Sequence, residues 1–247
     1  MATLILVRHG RTTANASGTL AGRTPGVRLD DLGQQQAVKA GERLAGVRLA
    51  SLVSSPLERC RQTAKAILAA RADASAETDA ALAVTTDRAI TECDYGEWQG
   101  RALKDLAKEP LWKTVQTQPS AAAFPGGESM LAMQAPAVAA VRRHDAALTD
   151  AHGADAVWVA VSHGDIIKSI LADALGMHLD LFQRLHVDPA SISVIRYTES
   201  RPFVLATNTH DGDLAWLNPP VKKRGGRGAK AVSTADAAVG GGAGPGR

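Results

Sequence analysis

Three apolar segments, each followed by a polar turn, constrain the fold of this 247-residue chain more than any other feature. They are the runs 2–7 (ATLILV), 50–54 (ASLVS) and 156–161 (AVWVAV). Short, continuous runs rich in branched apolar residues are typical of strands that are buried on both faces. We therefore predict three strands of one sheet, the first of which ends at the tripeptide R-H-G.

Helix signals follow the second and third runs. After the second run, Ser55 is a predicted N-cap, Pro56 the first helical residue and Glu58 the capping-box partner of a helix that ends at about Ala70. After the third run, apolar residues recur at helical spacing over 166–175. Both segments are therefore predicted as strand–turn–helix units.

The rest of the chain continues this alternation. Further helices are predicted at 31–44, 103–108, 129–150 and 179–185, and further strands at 191–197 and 204–208. Strands that alternate with helices indicate an α/β fold, with a mostly parallel central sheet and helices on both faces in three layers. Hydrophobic residues make up 45% of the chain and charged residues 21%, which is typical of a soluble protein with a core.

Composition changes near residue 221. We predict one folded domain over 1–220 and a flexible, basic, Gly- and Ala-rich tail over 221–247, which lacks apolar periodicity. The tail holds six basic residues and one acidic residue, so the net charge of +3 comes from it and not from the domain. Because no aromatic residues are interleaved with these basic residues, we predict no nucleic-acid partner.

No targeting or metal-binding pattern is evident. The first apolar run has no basic residues before it, and no apolar stretch approaches the ~20 residues that cross a bilayer, so we expect a cytoplasmic protein without a membrane partner. Cys60 and Cys93 have no metal-ligand spacing. The same holds for the histidines that do not follow a predicted strand, which are His144, His152, His178, His186 and His210, so we expect no metal and no cofactor. A homodimer is compatible with a domain of this size.

Basic side chains follow the predicted strands at the carboxyl edge of the sheet, where open α/β sheets bind ligands. Arg8 and His9 follow the first strand, His163 follows the third, and Arg59 lies in the first turns of the helix after the second. Guanidinium groups match phosphate oxygens, and a neutral imidazole is a competent nucleophile near pH 7. The sequence therefore predicts an anion site suited to phosphoryl transfer.

Three motifs carry a resemblance to a known family. R-H-G-x-T-x-x-N is matched at 8–15, the segment 54–64 (SSPLERCRQTA) is similar to a second motif, and S-H-G at 162–164 is similar to a third. Over roughly residues 3 to 210 the chain resembles the histidine phosphatase superfamily, in its phosphoglycerate-mutase-like branch. The resemblance implies that a phosphohistidine forms at one residue and that the others hold phosphate oxygens: His9 is the nucleophile, and Arg8, Asn15, Arg59 and His163 are the oxygen-binding residues.

The proton donor is assigned from the segment 91–100 (TECDYGEWQG), which is similar to an acidic stretch of the family. Glu92 is the predicted acid, with Asp94 as the alternative and Glu97 and Glu128 as competitors. Burial beside phosphate would raise the pKa of Glu92 toward the working range.

Loops are expected to shape the rest of the pocket. The segment 125–129 (PGGES) recurs in the family before a helix and is expected at the pocket mouth, together with the loop 18–29. Gly22 and Gly164 are predicted to contact substrate.

Two enzymatic reactions and one binding role follow from the resemblance. Dedicated mutases of the family carry a longer insertion with more basic residues after the acid, whereas the stretch 101–124 has only four. We therefore expect metal-independent hydrolysis of a small phosphorylated metabolite. Phosphoglycerate-mutase-type transfer and an inactive phosphate-binding relative are the alternatives.

Overall fold

A computed structural model describes residues 1–74 and 82–218 of the chain. The predicted tail over 221–247, and with it the predicted domain boundary, lies outside the described residues. Within the described ranges, no helix is both long enough and apolar enough to span a membrane.

A six-stranded sheet forms the centre of the fold. Its strands are β1 (Thr3–Arg8), β2 (Ser51–Ser54), β3 (Val84–Thr86), β4 (Val157–Ser162), β5 (Ile192–Arg196) and β6 (Phe203–Thr209). Their order across the sheet is β3-β2-β4-β1-β5-β6. The four strands β3, β2, β4 and β1 run parallel, while β5 and β6 pair antiparallel at one side. The predicted mostly parallel α/β sheet is confirmed, and it ends in two antiparallel pairs.

Helices cover both faces of this sheet. They are α1 (Thr13–Ser17), α2 (Asp31–Leu44), α3 (Glu58–Ala74), α4 (Leu103–Leu106), α5 (Pro110–Thr117), α6 (Met130–His152) and α7 (Gly164–Ala174). Short 3-10 helices occupy Arg88–Ile90, Gly96–Trp98, Pro119–Ala121, Leu179–Arg184 and Ala215–Leu217. Side chains of β1 alternate between the two faces, as expected for a strand: Leu4 and Leu6 join the core under α6 and α7, whereas Ile5 and Val7 join the core under α2 and α3.

Local predictions failed where short-range signals compete with tertiary contacts. The helix after β2 begins at Glu58, and the Ser55 hydroxyl accepts from the Leu57 N–H and contacts the ring of His163, so the predicted capping box is wrong. The predicted helix at 179–185 is a 3-10 helix, and the one at 103–108 is a single turn followed by the unpredicted α5. The short edge strand β3 was also missed.

Candidate active site

His9 and His163 meet because their strands are neighbours in the sheet. β1 and β4 are parallel, with Arg8 opposite Ser162, so the residue that follows each strand emerges at the same edge. The two imidazole rings lie edge to face with their centroids 5.3 Å apart, and both are buried. Residues ~150 positions apart in sequence are thus adjacent, as the topology of a parallel sheet requires.

Arg59 links the two rings from the first turn of α3. Its Nε donates to His9 Nε2 at 3.2 Å, and its Nη2 contacts His163 Nδ1 at 3.1 Å. The same Nη2 donates to the carbonyl of Gly22 at 2.8 Å. Arg59 is only 2% exposed, so three contacts hold its planar guanidinium in one orientation.

The hydrogen bonds of His9 define its tautomer. Nδ1 lies 2.8 Å from the carbonyl oxygen of Gly10, which can only accept, so Nδ1 carries the proton. Nε2 then keeps its lone pair and receives the Arg59 donor. Burial lowers the pKa of His9 well below its usual value, and the nearby Arg59 and Arg8 lower it further. The ring is therefore a neutral imidazole whose unprotonated Nε2 faces the guanidinium of Arg59.

His163 is neutral for the same reasons. Burial lowers its pKa most, followed by the charge of Arg59. Since Nδ1 receives an Arg59 donor, Nε2 carries the proton and donates to the Ser55 hydroxyl at 2.7 Å. The thiol of Cys60 packs beneath the ring, 3.4 Å from Nε2, and burial raises its pKa to about 12.

Arg8 completes the basic set from the end of β1. Its Nη1 donates to the Val187 carbonyl at 2.7 Å, which leaves the opposite edge of the guanidinium facing the turn before α7. There, Nε is buried and has no hydrogen-bond partner within residues 1–74 and 82–218, and a Cβ placed on Gly164 would lie 3.5 Å from it. A buried donor without an acceptor is costly, and an anion at this position would satisfy it. We call Arg8, His9, Arg59 and His163 the basic cage.

Glu92 is the carboxylic acid that reaches the basic cage. Its Oε2 lies 3.9 Å from His163 Nδ1, and its Oε1 accepts from the Cys93 N–H at 3.0 Å. The residue is 9% exposed, and burial raises its pKa to about 7, with the negative charge of Asp165 as the next cause; Arg59 opposes the rise. A carboxyl with this pKa carries a proton in roughly half of the molecules at pH 7.

The competing acids face elsewhere. Asp94 accepts from the Gly96 N–H and lies 3.7 Å from Arg23, and its side chain is 36% exposed. Glu128 pairs with Arg23 at 2.7 Å, and Glu97 is exposed. The geometry therefore favours Glu92 over the alternatives as the acid.

Asn15, Gly22 and Gly164 are placed differently from one another. The Asn15 oxygen accepts from the Thr12 N–H and hydroxyl in the capping box of α1, and the residue is exposed. Gly22 has a φ of 51°, which favours glycine, and its carbonyl orients Arg59. Gly164 begins α7, so the N-terminal end of that helix faces the basic cage. The structure thus gives Asn15 a capping role, and its contact with substrate stays a prediction.

Two residues that sequence reasoning passed over belong to this site. Asp165 accepts from the Tyr95 hydroxyl at 2.7 Å and raises the pKa of Glu92. Arg23 donates from Nε to the Glu92 carbonyl at 2.7 Å and from Nη2 to Glu128 at 2.7 Å. Asp165 directly follows the S-H-G motif, and this position is the sequence signal that could have identified Asp165 as a residue of the site.

The segment 125–129 packs against the loop that carries the acid. The Glu128 N–H donates to the Asp94 carbonyl at 2.9 Å, and the Glu97 N–H donates to the Pro125 carbonyl at 2.8 Å. A Cβ on Gly96 would lie 2.1 Å from that same carbonyl, so only glycine permits the approach. This contact holds the loop that bears Glu92.

The arrangement combines neutral imidazoles, guanidinium donors and one carboxyl that can hold a proton. Such a set can bind a dianion, supply a nitrogen nucleophile and protonate a leaving group. Within residues 1–74 and 82–218, no group of three or more His, Cys, Asp and Glu side chains is placed to hold a metal ion.

Comparison with known sequences identifies relatives of this arrangement. Residues 4–210 match the sequence profile of the Histidine phosphatase superfamily (branch 1). A Glucosyl-3-phosphoglycerate phosphatase of Mycolicibacterium vanbaalenii is 32% identical over 180 residues, which are 72% of this chain and 76% of that protein. A "Probable phosphoglycerate mutase GpmB" of Yersinia pestis is 31% identical over 226 residues, 89% of this chain and 97% of that protein.

One relative is a longer protein, and this chain matches only part of it. The Bifunctional protein Rv2228c of Mycobacterium tuberculosis is 34% identical over 198 residues, which are 78% of this chain and 50% of that protein. The match therefore spans about half the length of that relative.

Solved structures share the fold. A mycobacterial glucosyl-3-phosphoglycerate phosphatase in complex with VO3 superimposes with a TM-score of 0.71 at 26% identity, covering 83% of this chain and 98% of that one. A protein named Mycobacterial hydrolase 1 superimposes with a TM-score of 0.73 at 26% identity, covering 85% and 99% of the two chains.

Proposed function

This chain belongs to the histidine phosphatase superfamily, and we propose that it hydrolyses the phosphomonoester of a small metabolite through a phosphohistidine at His9. One observation carries the proposal. A neutral imidazole, His9, with an unprotonated Nε2 shares the basic cage with His163, and His163 lies 3.9 Å from a buried carboxyl whose pKa is about 7. A nucleophile and a general acid thus coexist in their active protonation states near neutral pH.

In the first step His9 Nε2 attacks phosphorus in line with the leaving oxygen. The P–N bond forms, the P–O bond breaks, and the departing alkoxide takes the proton of Glu92. In the structure, Arg59 Nε donates to the lone pair of His9 Nε2 that attacks phosphorus. This N–H must therefore turn to a phosphoryl oxygen when substrate binds. The Nε of Arg8, which has no partner among the described residues, is a second donor for these oxygens.

In the second step water hydrolyses the phosphohistidine. Glu92, now a carboxylate, takes a proton from the attacking water, the P–N bond breaks, and inorganic phosphate leaves. The Nδ1 bond of His9 to Gly10 persists throughout and keeps the imidazole oriented as both nucleophile and leaving group. The guanidinium groups supply the positive charge that stabilises the transferring phosphoryl group, so the reaction needs no metal.

Release of inorganic phosphate from p-nitrophenyl phosphate and an alkyl phosphate in the presence of a chelator tests this proposal. We expect turnover that EDTA leaves unchanged and that His9→Ala abolishes. His178→Ala is the matched control, because that imidazole is exposed and lies beyond the far end of α7. Undiminished turnover by His9→Ala would overturn the mechanism, and inhibition by chelator would overturn metal independence.

Phosphoglycerate-mutase-type transfer is a second candidate, favoured by the relative named for that activity that aligns over 89% of this chain. The charges after the acid argue against it. Arg101 pairs with Glu109 and Lys108 pairs with Asp105, so two of the four basic residues in 101–124 are already neutralised. Incubation with 3-phosphoglycerate and a bisphosphoglycerate primer separates the reactions: we expect phosphate release, and 2-phosphoglycerate without phosphate release would reverse the preference.

A further inference from the structure

The turn over 187–191, which we call the Arg8 turn, lies against the last residue of β1. The Val187 carbonyl accepts from Arg8 Nη1 at 2.7 Å. The Ala190 N–H donates to the Arg8 carbonyl at 3.1 Å, and the Ser191 carbonyl accepts from the Arg8 N–H at 3.2 Å. The turn therefore contacts the guanidinium of Arg8 and both polar groups of its backbone.

The sequence of the Arg8 turn does not favour the backbone conformation that the turn adopts. The Ser191 N–H donates to the Asp188 carbonyl at 3.1 Å, which closes a four-residue turn. Pro189 is its second residue, and Ala190 is its third, with a φ of 58°. These are features of a type II turn, in which the third residue is usually glycine. Because alanine is strained at this φ, contacts from outside the turn must hold it.

Asn208 of β6 supplies two such contacts. Its Oδ1 accepts from the Asp188 N–H at 2.6 Å, and its Nδ2 donates to Asp188 Oδ2 at 2.9 Å. The bond from Asn208 is the largest cause that lowers the pKa of Asp188, so this carboxyl is ionised. Since an N–H can only donate and a carboxylate can only accept, the amide is fixed in one orientation.

The backbone at Asn208 is strained as well. Asn208 has a φ of 51°, and it shares the left-handed region with Ala190 alone among the non-glycine residues of 1–74 and 82–218. Residues 207–208 of β6 lie opposite the single Ser193 of β5, so Asn208 belongs to a β-bulge. Bulges redirect side chains, and strained residues cluster at functional sites. Both strained positions here hold the same turn.

We propose that Asn208 is a positioning residue for catalysis, which holds the Arg8 guanidinium in its orientation through Asp188 and the Arg8 turn. The inference rests on the proposed function, in which Arg8 Nε donates to phosphoryl oxygens. Among the described residues the Asn208 amide bonds only to Asp188, so its effect on turnover passes through the turn. Without this amide, the Val187 carbonyl that fixes Arg8 Nη1 loses its support, and Nε faces the phosphoryl group in fewer molecules.

A double-mutant cycle separates this role from a general loss of structure. Asn208→Gly removes the amide and keeps a residue that adopts positive φ. Asn218→Gly is the matched control, because its amide also bonds two backbone groups, the Arg48 N–H and the Gly46 carbonyl, in the loop before β2 at the opposite edge of the sheet. Each variant is made with Arg8 intact and with Arg8→Ala. The readouts are kcat/KM for p-nitrophenyl phosphate and the calorimetric Kd for inorganic phosphate.

With Arg8 intact, Asn208→Gly should lower kcat/KM and phosphate affinity about tenfold, as expected when a charge-assisted hydrogen bond is weakened. With Arg8→Ala, it should change both by less than about twofold, because the group that Asn208 orients is gone. Asn218→Gly should change neither. Equal losses from Asn208→Gly in the two backgrounds, or no loss beyond that of Asn218→Gly, would overturn the inference.

Exchange of the two side chains tests the pairing itself. Asn208→Asp places a second carboxylate against Asp188 and should cost about tenfold in kcat/KM, whereas Asp188→Asn in the same chain restores an amide–carboxylate bond with donor and acceptor exchanged. The rings of His186 and His210 also contact Asp188, so Asp188→Asn alone is the reference for the double variant. An equal cost of Asn208→Asp in both backgrounds would overturn the inference. A wild type that binds phosphate and hydrolyses no ester would refute the proposed function instead, and the phosphate affinities would still report on Asn208.

Discussion

Glu92→Gln removes the proposed proton donor while preserving the shape of the side chain. Glutamine keeps an oxygen that can accept from the Cys93 N–H, so the loop is expected to stay in place. The amide cannot protonate an alkoxide or take a proton from water. The substitution therefore isolates the acid–base role of Glu92 from its packing.

The size of the effect follows from the environment of the carboxyl. With a pKa of 4.5, only about 0.3% of the carboxyls would be protonated at pH 7, whereas a pKa of about 7 gives roughly half, a gain of about 150-fold. Loss of a general acid typically costs ~10² to 10⁴ in rate. We expect a loss of about 10³ in kcat/KM for an alkyl phosphate, whose leaving oxygen is strongly basic. For p-nitrophenyl phosphate, whose leaving group needs little protonation, we expect a loss of less than about tenfold.

Steady-state kcat/KM for both esters, measured from pH 5 to 9, checks this prediction. This parameter reports the steps up to release of the alcohol, before water attacks the phosphohistidine. The wild-type kcat/KM on the alkyl ester should fall above about pH 7 as Glu92 loses its proton, and Glu92→Gln should lack this decline. Equal losses for the two esters would refute the acid role of Glu92 and would return Asp94 to consideration.

Three further outcomes follow from the same contacts. Asp165→Asn removes a negative charge that raises the pKa of Glu92, so the alkaline decline of kcat/KM on an alkyl phosphate should move to lower pH; an unchanged profile would show that Asp165 has no such influence. Arg59→Lys cannot reach His9, Gly22 and His163 together and should cost ~10² to 10³ in kcat/KM, whereas the exposed Arg61→Lys should cost little in the same assay. Because the folded-state pKa of Glu92 is raised from 4.5 to about 7, the stability of the wild type should fall as pH rises through that window. In scanning calorimetry Glu92→Gln should therefore melt several degrees higher than the wild type at pH 8 and at the same temperature at pH 4. Equal melting temperatures at pH 8 would contradict this.

Much of the site could be predicted from sequence because its residues sit at the ends of strands. The apolar runs that become β1 and β4 are recognisable, and the residues after parallel strands emerge at one edge, so the meeting of His9 and His163 follows from local patterns. The helix predicted after the second apolar run placed Arg59 at the same edge, and the family motifs then added Glu92, whose role no periodicity reveals. Local patterns do not specify the order or the direction of strands, so they did not predict that β5 and β6 form an antiparallel edge.

The parts that were missed depend on contacts between distant loops. Arg23 lies in a loop without periodicity, and its role appears only when Glu128, 105 residues away, meets it. The local sequence predicts Ser55 as a helix cap, but the Ser55 hydroxyl forms a hydrogen bond with the ring of His163. Asp165 influences the site through the pKa of Glu92, an effect of distance and burial that sequence spacing does not report.

The central claim, that His9 carries the phosphoryl group, is tested most directly by rapid quench of the enzyme with labelled substrate followed by mass spectrometry of the peptides. The account predicts an acid-labile, base-stable phosphoryl group on His9 in the wild type and none in His9→Ala. Glu92→Gln should accumulate this species from p-nitrophenyl phosphate, because the base for its hydrolysis is gone. A phosphoryl group on another residue, or turnover without any phosphoenzyme, would contradict the account.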